Sequence, residues 1–231
     1  MVQSKAAAKP ANAKAQATRE KLKDACLRAL DRVGYGDLKI ADVTSEAGVA
    51  VGLFYHYFKD LRSLVLELLE EQSARLAEVQ ADSAQPTPEW LFDRIRAHHL
   101  LIVRNYQAQP GLMRAFFQIG EDIPGFRDRV MPHYERELLF LIDKAREVFP
   151  QRAIATEDAL VLAYALGGLT AHPMRERHSH RDPRIAEGSL GLEATAEWLS
   201  VLFYRALLGA EPPAAALRFP AVAGALYSAG A

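Results

Sequence analysis

Tyr55, His56 and Tyr57 follow one another directly, and Lys59 stands two residues on, so phenol, imidazole and ammonium donors crowd into five positions. Such groups suit hydrogen bonding to phosphate oxygens. Core packing explains the flanking Phe54 and Phe58, but not three polar-tipped aromatic side chains in a row. Just before them, in the run GVAVGLFYHYFKD, the small residues Ala50 and Gly52 permit close approach to another surface. A second set of candidate groups is His98, His99, His133 and His172. They have neither the HExxH pattern nor a paired His/Cys spacing, so no metal or other cofactor is expected. The sequence also lacks a GxSxG nucleophile motif and a phosphate-cradling glycine loop, and we expect no catalytic residues and no enzyme.

The elements that must position these groups are all helical, because apolar residues recur at helical spacing and alternating β-branched runs are missing. Leu22, Ala25, Cys26, Ala29, Leu30 and Val33 mark one face of a first helix, with Thr18 as its expected cap and Gly34-Tyr35-Gly36 as its end. Cys26 lies on that face and reads as a core thiol. Ile40, Val43 and Ala47 mark a short second helix that ends at Gly48, and a third begins near Ala50. Asp60 caps the next helix, whose Leu61, Leu64, Val65, Leu68 and Leu69 form a stripe running on toward Leu76 and Val79. Thr87-Pro88-Glu89 opens a helix built from Trp90 to Tyr106. Pro110-Gly111 opens a short one, and Ile123-Pro124-Gly125 precedes a long one from Phe126 to Phe149. A helix from about Glu157 to His172 precedes the polar loop RERHSHRDPR, and the last runs from about Glu187 to Leu208 with Gly209 at its end.

The chain has 231 residues, half of them hydrophobic and a quarter charged, which is the composition of a folded protein with more than one core. We expect a cytoplasmic chain that has no membrane partner, since the N-terminus lacks the apolar segment of a signal peptide and one cysteine cannot build a disulfide framework. Residues 1–60 hold 10 basic against 7 acidic groups and the remainder 18 against 22, so the overall charge of −1 divides into a head at +3 and a body at −4. Lys5, Lys9, Lys14 and Arg19 precede every acid, and such a tail can follow a phosphate backbone or simply solubilise the chain. The expected organisation is a disordered basic tail over 1–17, a helix-turn-helix head over 18–60, a helical ligand-binding and dimerisation body over 61–209, and an Ala/Pro-rich tail over 210–231.

Two short helices joined by a glycine turn make a helix-turn-helix, whose second helix enters a major groove. The gapless stretch from Thr18 to Leu64 resembles the DNA-binding head of the TetR family of bacterial transcriptional regulators. Its densest matches are Gly34-Tyr35, Asp42-Val43, Ala47-Gly48-Val49, Gly52 and Tyr55-His56-Tyr57-Phe58-Lys59. The resemblance implies that Ala50, Val51, Gly52, Leu53 and Tyr55 face the groove of a double-stranded DNA operator. It further implies that His56, Tyr57 and Lys59 hold phosphates; Lys39 stands where the family usually places a hydroxyl residue at the start of the brace helix, and its charge suits a phosphate contact there. Leu61 stands where the family commonly has a phosphate-contacting lysine, and Val51 with Leu53 replaces polar groups, which reduces direct base readout because aliphatic side chains can touch only a thymine methyl. A helical head that binds another protein is the competing reading.

In the body, Trp90, Tyr106, Met113, Phe116, Phe117 and Tyr134, with His99 or His133 as polar anchor, either fill a core or line an apolar cavity for a small-molecule effector. The family resemblance favours the cavity, since there a ligand in the body alters the separation of two heads. Gly167-Gly168, Trp198 and Val201 suggest a homodimer seam built from the last two helices, although Gly167 could instead mark a kink. The resulting expectation is a dimeric repressor released from its operator by an apolar or aromatic molecule.

Overall fold

A computed structural model describes residues 10–78, 85–119, 123–152, 155–186 and 190–221. Lys5, Lys9 and Val79 lie outside the described residues. The protein is all-α. Three helices come first, α1 (Pro10–Val33), α2 (Ile40–Ala47) and α3 (Val51–Phe54), followed by α4 (Leu61–Glu78). The body adds α5 (Pro88–Ala108), α6 (Pro110–Ile119), α7 (Phe126–Arg129), α8 (Met131–Val148), α9 (Thr156–Met174), α10 (Pro183–Ala186) and α11 (Leu192–Leu208).

The core of the head joins Leu22, Cys26 and Leu30 of α1 to Val43 of α2, to Phe54 and Phe58, and to Leu64, Val65 and Leu68 of α4. That core does not stop at the head, because Leu112, Ala115 and Ile119 of α6 enter it, as do Phe126 and Val130. The stripe predicted on α4 is therefore the surface on which head and body share apolar side chains, and their joint removal from water stabilises the junction. Cys26 is fully buried, and burial pushes its thiol up to about 12, as suits a packing role.

Several helix ends are set by the predicted chemistry. The Asp60 carboxylate accepts from the Ser63 amide at 2.7 Å, Thr87 Oγ1 accepts from the Trp90 amide at 3.2 Å, and Gly48 and Gly209 take φ of 61° and 56° at the ends of α2 and α11. Other expectations are corrected. Thr18 caps nothing: α1 begins at Pro10, and the Thr18 hydroxyl donates back to the Lys14 carbonyl at 3.0 Å from within the helix. Arg19 is no part of a free tail, since its guanidinium pairs with Glu67 of α4 and lies over the Phe58 ring.

The expected helix from Phe126 to Phe149 breaks at Val130 into α7 and α8, where Pro132 would oppose a continuous helix. α9 runs through Pro173 instead of stopping before it, and RERHSHRDPR is no loop: Arg175–His180 form a π-helical stretch and α10 follows. The wider turn directly after Pro173 accommodates the hydrogen bond that proline cannot make. This stretch is fastened on two sides, with Arg177 Nη2 donating to the Leu190 carbonyl at 3.0 Å and Ser179 Oγ to the Pro110 carbonyl at 3.2 Å. α11 starts at Leu192, with Gly191 extended before it, and Glu187 lies outside the described residues. Beyond it the chain folds back: Arg96 donates to the Ala216 carbonyl at 2.6 Å, and buried Glu197 accepts from the backbone amides of Arg218 and Phe219.

Candidate DNA interface and effector cavity

Gly48 reverses the chain between α2 and α3, and its left-handed φ of 61° is the reason a glycine suits the position. Three residues on, α3 is a single turn that continues into hydrogen-bonded turns through Phe58. Phe54 and Phe58 point inward and are buried, which forces the intervening residues outward. Ala50, Val51, Gly52, Tyr55, His56 and Lys59 are exposed on one end of the molecule, and Lys39 is exposed at the start of α2. Leu53 and Tyr57 are half-buried, Tyr57 against the core of the head. No Cβ on Gly52 would meet anything within 4 Å, so that surface is open. The brace helix is held in turn: Glu46 of α2 accepts from Arg28 at 2.9 Å and Arg32 at 3.0 Å, and these two bonds hold its carboxyl below the usual range. The helix-turn-helix is thereby held in place with exposed donors beside α3.

A second feature lies in the body, a cavity of about 280 Å³ bounded by α5, α6, α8, α9 and α11. Of the residues anticipated there, His99, Tyr106, Met113, Phe116, Phe117 and Tyr134 line it. Trp90 and His133 do not: Trp90 packs edge-on to Phe140 at 6.4 Å in the neighbouring core, and His133 stands outside the lining. His98, Ile102, Asn105, Met131, Leu138, Ala163, Tyr164, Gly167, Gly168, Thr170, Ala171 and Phe203 complete it. The contribution of α9 went unrecognised, although Ala163, Gly167, Thr170 and Ala171 repeat small side chains at helical spacing, which is what a hollow beside a helix requires.

The lining is apolar with neutral polar points. Burial, with His99 and Arg94 nearby, pushes His98 down to about 3, and burial pushes His99 down to about 4. Both rings are therefore uncharged at neutral pH. His99 Nδ1 lies 3.0 Å from the Ile95 carbonyl, which assigns its proton to that nitrogen. The Tyr106 hydroxyl is buried without a hydrogen-bond partner among the described residues, and burial raises its pKa, as it does that of Tyr134.

One helix joins the cavity to α1, on which α2 packs. Gly111 of α6 seats against the C-terminal end of α1, its amide donating to Asp31 Oδ1 at 2.6 Å, and Arg114 Nη2 donates to the Leu30 carbonyl at 2.8 Å. Met113, Phe116 and Phe117 of the same helix line the cavity.

Residues 22–68 match the family model of bacterial regulatory proteins of the tetR family. Over these residues the chain is similar to the DNA-binding head of the TetR family. Over 71 residues it is 32% identical to the HTH-type transcriptional regulator BetI of Klebsiella pneumoniae, a match covering 31% of this chain and 36% of that protein. The chain thus spans about a third of the length of the curated relatives it matches. In fold it also resembles the fatty acid degradation regulator FadR from Bacillus halodurans (TM-score 0.62, 16% identity, 80% of this chain and 94% of that one). FadR from Bacillus subtilis, solved in complex with stearoyl-CoA, is similar to the same degree (TM-score 0.59, 18% identity, 80% and 96%). All three relatives are regulators.

Of the residues expected at a dimer seam, Gly167 and Gly168 are exposed on α9. They share that helix with Val161, Tyr164 and Leu169, which are 71%, 44% and 61% exposed. Trp198 is half-buried against a core that includes Val103 and Tyr106. Val201 is fully buried inside the protomer and is not available to a second copy, because the broad apolar surface of α11 is spent on α5 and α9. Among the described residues no helix is long and apolar enough to cross a membrane.

Proposed function

We propose that this chain is a ligand-responsive repressor, acting in the cytoplasm as a homodimer on a double-stranded DNA operator. The observation that carries the reading is α6, a single rigid helix whose one side walls the cavity and whose start is bolted to α1 through Gly111, Asp31 and Arg114. An effector that pushes on Met113 or Phe117 must also move the end of α1. In a dimer joined through the exposed apolar face of α9, that movement changes the spacing of two α3 helices, which a palindromic operator fixes at about 34–36 Å or a multiple of it. An effector preferring the DNA-incompetent arrangement would couple to operator binding by roughly 1–3 kcal/mol. An apolar or aromatic effector suits the lining, and the Bacillus subtilis relative with its bound stearoyl-CoA makes the body a reasonable place for one.

Within the head, Ala50, Val51, Gly52, Leu53 and Tyr55 form the groove-facing part, and Lys39, His56, Tyr57 and Lys59 the phosphate-holding edge. Tyr55→Ala and Lys59→Ala alter exposed side chains, so both variants should melt with the wild type while binding an operator duplex more weakly by about tenfold, the loss of a charge-assisted hydrogen bond or a stacked ring. Fluorescence anisotropy measures this. Undiminished binding by both variants would contradict the assignment of this surface to DNA.

A further inference from the structure

We propose that the cavity is built for a small organic acid, an apolar chain or ring inside with its carboxylate at the mouth on Arg175 and the Tyr106 hydroxyl. This rests on the reading of the cavity as an effector site and names the class of effector. The Arg175 guanidinium lies over the ring of Phe117 at 4.8 Å from its centroid, and Phe117 is both a lining residue and 43% exposed, which puts the cation at the entrance. The arginine sits on the π-helical stretch fastened to α6 and α11, so its position is fixed by the fold.

Neighbouring arginines are committed elsewhere: Arg177 to Leu190 and Thr195, Arg184 to Asp182, and Arg114 to Leu30. Among the described residues the Arg175 guanidinium has neither a carboxylate partner nor a hydrogen-bond acceptor. A half-buried cation that keeps only a ring face for company regains what burial took from it when an anion arrives, and arginine meets a carboxylate with two parallel bonds. Deeper in, the Tyr106 hydroxyl is 99% covered yet unpartnered, and it lies within electrostatic reach of Arg175. The lining imidazoles are neutral, and the Glu135 carboxylate beside the lining is engaged by the Tyr164 hydroxyl of α9 at 2.7 Å. At about 280 Å³ the cavity falls just below the usual range of ligand pockets, about 300–1,000 Å³, which favours a small acid over a nucleotide-bearing thioester.

The test uses the full chain loaded with the neutral fluorophore N-phenyl-1-naphthylamine, displaced at neutral pH by decanoate or by decan-1-ol, which share a chain and differ in the head. Decanoate should displace it at a concentration lower by about tenfold, the worth of a charge-assisted bond. In Arg175→Gln that preference should vanish while the decan-1-ol midpoint stays unchanged. Tyr106→Phe, which removes one oxygen from the core, should reduce the preference in part. Equal displacement by acid and alcohol in the wild type, or a preference surviving Arg175→Gln, overturns the carboxylate assignment and leaves the cavity standing. Failure of the wild type to take up the fluorophore, decanoate or decan-1-ol overturns both.

Discussion

His99 shows how one side chain ties the body to pH. It is 2% exposed, its Nδ1 is held between the Ile95 carbonyl and Ser200 Oγ at 3.0 Å each, and its ring stands edge-on to Phe203 at 5.5 Å. Burial holds its pKa down at about 4, whereas in the unfolded chain it returns to about 6.5. Below about 6.5 the unfolded state therefore binds the proton that the folded state refuses, so stability is intact above that value and drains away as pH falls toward 4. The limiting slope is about 1.4 kcal/mol per pH unit for one such group. Melting temperatures measured from pH 7.5 down to 5.5 should fall for the wild type and fall less steeply for His99→Gln. Parallel curves for the two proteins would show that His99 takes up its proton as readily folded as unfolded. Residue types were a good guide here. The aromatic, sulfur and histidine side chains near α5 and α6 announced a cavity wall, and six of the eight line one. Trp90 and His133 misled because a helix turns a side chain by about 100° per residue, and neighbours in sequence then face different cores.

Among the elements, α6 has the least freedom. An added Cβ on Gly111 would stand 2.5 Å from the Asp31 backbone nitrogen, inside any tolerable contact, and the obstacle is backbone, which cannot swing aside. Gly111→Ala should therefore lever α6 off α1, at a cost of about 1–3 kcal/mol, the usual range for overpacking. The expected result is a melting point several degrees lower, together with altered operator affinity. Gly36→Ala is the control, since a Cβ there meets nothing within 4 Å and its melting point should hold. A Gly111→Ala protein as stable as the wild type would mean that the α1–α6 junction is slack and cannot transmit. The seam itself was hidden in the sequence, because Pro110-Gly111 reads equally as a helix start and as a close approach between backbones 80 residues apart. Caps and glycine ends were legible, as Asp60, Thr87, Gly48 and Gly209 attest, since each acts through bonds to residues next to it in the chain. Pro173 was not, because whether a proline stops a helix depends on the turn that follows and on what Arg177 and Ser179 find to hold.

At the scale of the molecule, a head with a surplus of cations is carried by a body with a surplus of acids, and the two share one apolar core through α4 and α6. Much of the cationic surplus is internal strutting: Arg19 and Lys23 engage Glu67 and Glu71 on α4, and Arg28 and Arg32 hold Glu46. Among the described residues, Lys39 and Lys59 are exposed with the tips of Tyr55 and His56, and the Lys21 ammonium lies beside Gly48; on the proposed reading these groups meet phosphate from two heads on one duplex. The decisive measurement is selection of duplexes from a randomised pool by the full chain, followed by affinity for the enriched duplex as salt is raised from about 50 to 200 mM. The account predicts enrichment of an inverted repeat, with affinity falling by orders of magnitude across that range. A pool that emerges unenriched, or binding indifferent to salt, would contradict it.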